Sequence, residues 1–148
     1  MGAYQLVAVG TDGSESSFRA VDRAATVAAD SSATLLIICA YHPAKHTGQA
    51  EQQLGEDAAY HVVGSTPAEE TLRDAKERAS SKGAGEVETI AVEGDPIEAV
   101  TGVVNDRKAD LLVIGNRGLN SLSGRLLGSV PQGISRKAPT DVLIVHTT

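Results

Sequence analysis

Leu111-Leu112-Val113-Ile114-Gly115-Asn116-Arg117-Gly118 is the stretch that decides the fold. Four consecutive large apolar residues leave no polar face, so they predict a strand buried on both sides, and a glycine-bearing turn follows at once. Such a strand belongs in a parallel sheet covered by helices on both faces. Far upstream, Leu6-Val7-Ala8-Val9 repeats the arrangement and runs into Gly10-Thr11-Asp12-Gly13-Ser14. Phe18, Val21, Ala25 and Ala28 then recur at helical spacing, with Glu15, Arg19, Asp22 and Arg23 on the opposite side.

The segments between continue the alternation. Residues 35–41 predict a second buried strand. Thr66-Pro67-Ala68-Glu69 reads as a capping box with proline in the first turn, opening a helix that carries Leu72, Ala75 and Ala79 and stops at Gly83. Residues 87–92 predict a third strand, and Asp95-Pro96-Ile97-Glu98 repeats the cap-plus-proline start ahead of Val100 and Val104. A short helix over 130–137 and a last strand over 141–146 complete an α/β chain expected to form a single domain, residues 1–148. The polar stretch from His42 to Gly64 is longer than most connections in compact domains and reads as a lid, a short extra helix or an insertion.

Composition excludes several classes of function. Thirteen Lys+Arg against nineteen Asp+Glu give a net charge of −6, which disfavours unspecific nucleic-acid binding, and three Tyr and one Phe are too few for a base-stacking platform. No apolar run approaches the roughly 18 residues of a membrane span, and the start lacks the basic and apolar regions of an export signal. Leu6 stands where a myristoylation motif needs Ser or Thr. A cytoplasmic protein is expected. Cys39 is alone, lies in an apolar run and reads as core filler, so neither a disulfide framework nor a cysteine metal site is available. The phosphate-loop, dinucleotide, nucleophile-elbow and zinc-protease motifs are all missing. His42 and His46 are separated by Pro43 in a polar loop and read as solvated, while His61 and His146 have no visible companion. Neither catalytic nor metal-ligating residues are assigned.

Candidate binding residues cluster by position. In open parallel sheets, ligands sit beyond the carboxyl ends of strands where neighbouring crossovers leave to opposite faces. Gly10, Thr11 and Asp12 end the first strand, and Gly115, Asn116, Arg117 and Gly118 end the fourth. If these strands are neighbours, both turns line one nucleotide-sized slot. Glycine lets a backbone approach a ligand, and successive amide N–H groups form an anion nest. A side chain placed at Gly115 is expected to enter the slot. Gly128-Ser129-Val130-Pro131 opens the last helix, where unpaired N–H groups favour phosphate. Asp12 offers a carboxylate to ribose hydroxyls, and Ala40 is small enough to admit adenine. Arg117 and Arg125 read as phosphate contacts or as surface charge. Singly, each of these is an ordinary turn or helix cap; together they fall at one end of one sheet.

The segment 115–130, GNRGLNSLSGRLLGSV, resembles the nucleotide motif of the universal stress protein family: G-x-x-G, nine residues, then G-[ST]. Gly115, Gly118, Gly128 and Ser129 occupy its four fixed positions, and the likeness extends from VAVGTDGSESSFRAVDRA to the apolar last strand. The resemblance implies an open five-stranded parallel sheet of order 3-2-1-4-5, Rossmann-like, with helices on both faces. It implies ATP bound with Asp12 at ribose, Ala40 at adenine, and Gly118, Gly128, Ser129 and Val130 at phosphate. Actinobacterial single-domain members are more similar still, through the GN-x-GL opening and the VDVLIVHTT-like ending, and they include binders of cyclic AMP. Asn116 departs from the Ser or Thr of many ATP binders, and Arg117 adds charge that serves either ligand. The implied ligand is cyclic AMP or ATP, with Mg²⁺ accompanying ATP.

Three readings follow. The first is an adenine-nucleotide sensor or buffer in a stress response. The second is a slow ATPase or self-phosphorylating enzyme using the same site, which lacks an evident base besides Asp12 near the phosphates. The third is an interaction module with a vestigial pocket. The apolar run Val142, Leu143, Ile144 and Val145 invites edge pairing, and the resemblance implies a homodimer through it.

Overall fold

The computed structural model describes residues 2–42, 65–116, 133–134 and 136–147. Within them the chain runs β1 (Leu6–Gly10), α1 (Glu15–Ser31), β2 (Thr34–Tyr41), α2 (Ser65–Ser81), β3 (Glu86–Glu93), α3 (Pro96–Arg107), β4 (Leu111–Gly115) and β5 (Asp141–Val145). Residues 133, 134, 136 and 137 are helical, and the remainder of the expected last helix lies outside the described residues, as does 43–64. The five strands form one parallel sheet in the order β3-β2-β1-β4-β5, as the resemblance implied.

Alternation along each strand divides the core in two. Val7, Val9, Leu35, Ile37, Cys39, Leu111 and Val113 face α1 and α2, while Ala8, Leu36, Ile38, Leu112 and Ile114 face α3 and Ile134. The three central strands are therefore apolar on both faces, which is why they read as continuous apolar runs. Edge strand β3 departs from that pattern. Its Glu86, Glu88 and Glu93 are exposed, and both β2 and β3 extend beyond the expected bounds, pairing Thr34 with Glu86 and Tyr41 with Glu93. Glu86 and Glu93 hid the ends of β3 from the sequence reading because an edge strand solvates its outer side chains.

Caps place the helices. Ser14 is the N-cap of α1 and accepts from the Ser17 N–H at 3.1 Å, and Asp95 caps α3 by accepting from the Ile97 and Glu98 N–H groups ahead of Pro96 at the helix start. Two further boundaries differ from expectation. Helix α2 already begins at Ser65, so Thr66 lies inside its first turn instead of capping it. Strand β5 stops at Val145 and not at His146, because the backbone then leaves the sheet and Thr147 bonds elsewhere.

Asp22, assigned by periodicity to the outer face of α1, instead joins the seam with α2. Arg78 of α2 donates through Nε and Nη2 to its two carboxylate oxygens at 2.8 and 2.9 Å, reaches Glu15 at 3.2 Å, and lies 5.4 Å from the centre of the Phe18 ring. These bonds hold the Arg78 guanidinium in its charged form, the Asp22 bond contributing most. A half-buried bidentate pair backed by an aromatic face exceeds an exposed ion pair in worth. Replacing Arg78 with Ala is expected to cost about 1–2 kcal/mol in urea unfolding with an unchanged m-value, and the gap from the wild type should narrow in high salt.

Candidate functional site

The site begins with strand order. β1 and β4 are paired neighbours, Val7 opposite Leu111 and Val9 opposite Val113. The crossover leaving β1 runs through α1 on one face, whereas the segment leading from β4 to β5 contains Ile134, which packs on the other. Their carboxyl ends therefore flank a topological switch point. Gly10 and Gly115 both end there, which meets the condition on which the sequence reading depended.

The turn after β1 is built from its own side chains. The Thr11 N–H continues the sheet to the Ile38 carbonyl at 2.9 Å. The Thr11 hydroxyl is 2.8 Å from the Ser17 hydroxyl and accepts from the Gly13 N–H at 3.2 Å. It holds the turn. Gly13 has φ +86, a left-handed conformation that costs glycine little, and the Thr71 hydroxyl lies 3.0 Å from where its Cβ would stand. Asp12 Oδ1 accepts from the Ser14 N–H at 2.9 Å, closing an Asx turn that sets the start of α1. Asp12 Oδ2 has no partner although the residue is only 8% exposed. Among the described residues, it is the one buried side-chain polar atom left in that state. Leaving a buried acceptor unmatched costs about 1–3 kcal/mol, so the site holds an oxygen in want of a donor.

The other candidates divide between the two faces of the sheet. Gly10 and Ala40 each lie two residues past Ala8 and Ile38, so they share the face that carries α3. Ala40 is half-buried beside Val92. Gly115 belongs to the opposite face. A Cβ there would lie 3.3 Å from Thr147 Cγ2 and 3.8 Å from the Ser16 carbonyl oxygen, so an added side chain meets Thr147 before it meets an open slot. Asn116 is turned toward the same residue: its Oδ1 accepts from both the N–H and the hydroxyl of Thr147, each at 2.9 Å. Arg117, Gly118, Gly128, Ser129 and Val130 lie outside the described residues.

The universal stress protein family profile matches residues 3–146. The chain belongs to the universal stress protein family. It is 52% identical over 148 residues, all of both chains, to a universal stress protein of Mycobacterium tuberculosis. Among solved structures, a universal stress protein crystallised in complex with cAMP shares 46% identity and a TM-score of 0.76, with 99% of this chain and 100% of that one covered. One from Archaeoglobus fulgidus in complex with dAMP, at 22% identity and a TM-score of 0.68 over 95% of this chain and 97% of that one, shares the fold.

Sequence reasoning missed several residues that shape the candidate site of this universal stress protein. Ser14 reads only as part of a turn and helix cap, Ser16 and Ser17 carry no assignment, Arg19 reads as an outward charge, and Thr147 enters only as part of the VDVLIVHTT-like ending, with no role attached. Ser17 was open to discovery through its spacing from the capping Ser14; the contacts of Thr147 span 31 residues to Asn116 and more than a hundred to Ser16 and Arg19, and they leave no local trace. No group of three or more His, Cys, Asp or Glu among the described residues is placed to hold a metal ion. A groove of about 340 Å³ lined by Ala28, Ser32, Thr34, Gly83 and Glu86 opens at the amino ends of β2 and β3, the opposite end of the sheet from the switch point.

Cys39 lies near the carboxyl end of β2, buried in the α1–α2 face of the core. Burial first, and the negative charge of Asp12 second, push its thiol up from 9.0 to about 12. The native fold thus holds Cys39 as the neutral thiol while the unfolded chain ionises it near 9, so this contribution to stability is intact below pH 9 and is lost as pH rises from 9 toward about 12. A Cys39→Ala variant should lack that component of the alkaline fall in stability. In the wild type, iodoacetamide should label Cys39 in urea but not under native conditions at pH 8.

Proposed function

We propose that this universal stress protein binds an adenine nucleotide, cyclic AMP or ATP, at the carboxyl ends of β1 and β4 and serves as a nucleotide sensor or buffer. The observation that carries the reading is the buried, unpartnered Asp12 Oδ2 at a topological switch point. A carboxylate oxygen accepts and cannot donate, so its match is a ligand hydroxyl, and a ribose supplies one at the edge of a sugar ring that fits between strand ends. Ala40 leaves room beside strand β2 for the base. The glycine motif through Gly118, Gly128, Ser129 and Val130 supplies backbone N–H groups for phosphate, with Arg117 adding positive charge. The likeness to a family member crystallised with cAMP, over 99% of this chain and all of that one, supports the same ligand class here. ATP is the alternative ligand and would bring Mg²⁺ on its own phosphates.

The chain is also proposed to pair with a second copy along β5. Of the two edge strands, β3 presents Glu86, Glu88 and Glu93, whereas β5 has a single carboxylate, Asp141, at its start. Carboxylates along an edge discourage pairing, and their scarcity along β5 leaves it the receptive edge. Ile144, on β5, is the one exposed large apolar side chain among the described residues. Val145 is 5% exposed and packs into the core, so substitutions there would disturb folding first.

Titration calorimetry with cyclic AMP, and with ATP in the presence and absence of Mg²⁺, tests the binding reading; a nucleotide-free preparation that takes up none of them overturns it. Asp12→Asn retains the Oδ1 acceptor of the Asx turn and replaces the orphan oxygen with a donor. It should lower affinity about ten- to hundredfold, the worth of one charge-assisted hydrogen bond, without lowering the melting temperature. For the pairing edge, Ile144→Lys is expected to shift the mass in light scattering from dimer to monomer, and a variant that remains dimeric rules out β5.

A further inference from the structure

Thr147 is buried to 3% exposure, and each of its polar groups is engaged. Its N–H and hydroxyl both donate to Asn116 Oδ1, its carbonyl accepts from Arg19 Nη1 at 2.6 Å, and its hydroxyl lies 2.6 Å from that of Ser16. Asn116 Oδ1 can only accept, so the single Thr147 hydroxyl proton goes to it, and Ser16 is the donor in the remaining bond. The chain of bonds therefore has one direction: Ser16 to Thr147 to Asn116. The Thr147 N–H also fixes which way the Asn116 amide is turned, since the amide oxygen must face it and the Nδ2 donors must face away. The Asn116 N–H, bound to the Val145 carbonyl at 2.8 Å, anchors the same residue from its backbone. Asn116 follows Gly115 directly as the second residue of the glycine motif, so this network holds the start of that motif through both backbone and side chain.

We propose that Thr147 is a positioning residue for nucleotide binding: through Asn116 it sets the entry of the glycine motif, with Ser16 and Arg19 of α1 holding Thr147 in turn. The inference rests on the nucleotide reading above. Two observations favour positioning over mere filling of space. Gly115 lacks the Cβ that would crowd Thr147 at 3.3 Å, so the motif's first glycine is shaped around this side chain. The N–H and hydroxyl of Thr147 both donate to the one Asn116 amide and not to the core, so their loss should be felt more by Asn116 than by the fold. Preorganised binding groups gain affinity because their ordering is already complete before the ligand arrives.

The test is calorimetry with cyclic AMP, and with ATP and Mg²⁺, on the full chain, paired with thermal melts. Thr147→Val, which keeps shape and removes the hydroxyl, should weaken binding about fivefold, the value of one hydrogen bond, while Thr147→Ser stays within about twofold of the wild type. Because Thr147 acts through Asn116, adding Thr147→Val to Asn116→Ala should cost no further affinity. Equal affinity of Thr147→Val and wild type, or additive losses in the double variant, would overturn the inference while leaving nucleotide binding intact. Should Thr147→Val fail to fold, Ser16→Ala removes the preceding bond from a half-exposed position; an about threefold loss supports the inference and an unchanged affinity overturns it. A wild-type chain that binds neither nucleotide overturns the underlying reading, and this inference with it.

Discussion

Parallel pairing between β1 and β4, Val7 beside Leu111 and Val9 beside Val113, is the contact on which the rest of the molecule depends. These strands are distant in sequence: the chain crosses over to β2 and then β3 on one side of β1 before α3 returns it to β4 on the other. The strands that meet there are sealed on both faces, and each large side chain fully buried in such a layer contributes about 1.5–3 kcal/mol relative to exposure. That burial fixes the register, because a slip by one residue would exchange the residues facing α1 with those facing α3. The register in turn brings Gly10 and Gly115 to the same end of the sheet.

Around that junction the turn after β1 uses most of its polar side chains to hold itself in place. Thr11, Ser14 and Ser17 satisfy one another and the start of α1, leaving little freedom in the backbone. Asp12 gives one oxygen to this framework and keeps the other buried without a partner. A residue held rigidly by one atom while another remains unmatched is the arrangement expected of a group preorganised for a ligand, since the cost of burial is met only when a donor arrives. The same turn places a negative charge near Cys39 and helps keep that thiol protonated, so the cysteine is inert filler despite its nearness to the crevice.

Much of the fold was legible in the sequence because it rests on local patterns. Continuous apolar runs announced β2 and β4, the pair Asp95-Pro96 announced the start of α3, and Gly83 marked the end of α2 with its φ of +101. What escaped was non-local. Glu86 and Glu93 disguised the ends of an edge strand, and Asp22 looked like solvent-facing charge until Arg78 met it across the α1–α2 seam. At the candidate site, the positions of Gly10, Asp12 and Gly115 at strand ends were legible in the sequence, whereas the bonds that tie Ser16 and Arg19 to Thr147 were not.

By itself, the sequence determined the α/β class, the family and the strand ends at which glycines gather, because hydrophobic period, capping chemistry and a spaced glycine motif are all written in neighbouring residues. Tertiary structure alone decided which oxygen of Asp12 is left unmatched and that the space beside Gly115 belongs to Thr147. It alone showed that Asn116 turns its carbonyl oxygen to Thr147. These depend on side chains from distant segments meeting in three dimensions, and a hydrogen bond between residues 31 or 131 positions apart has no period for a sequence to display.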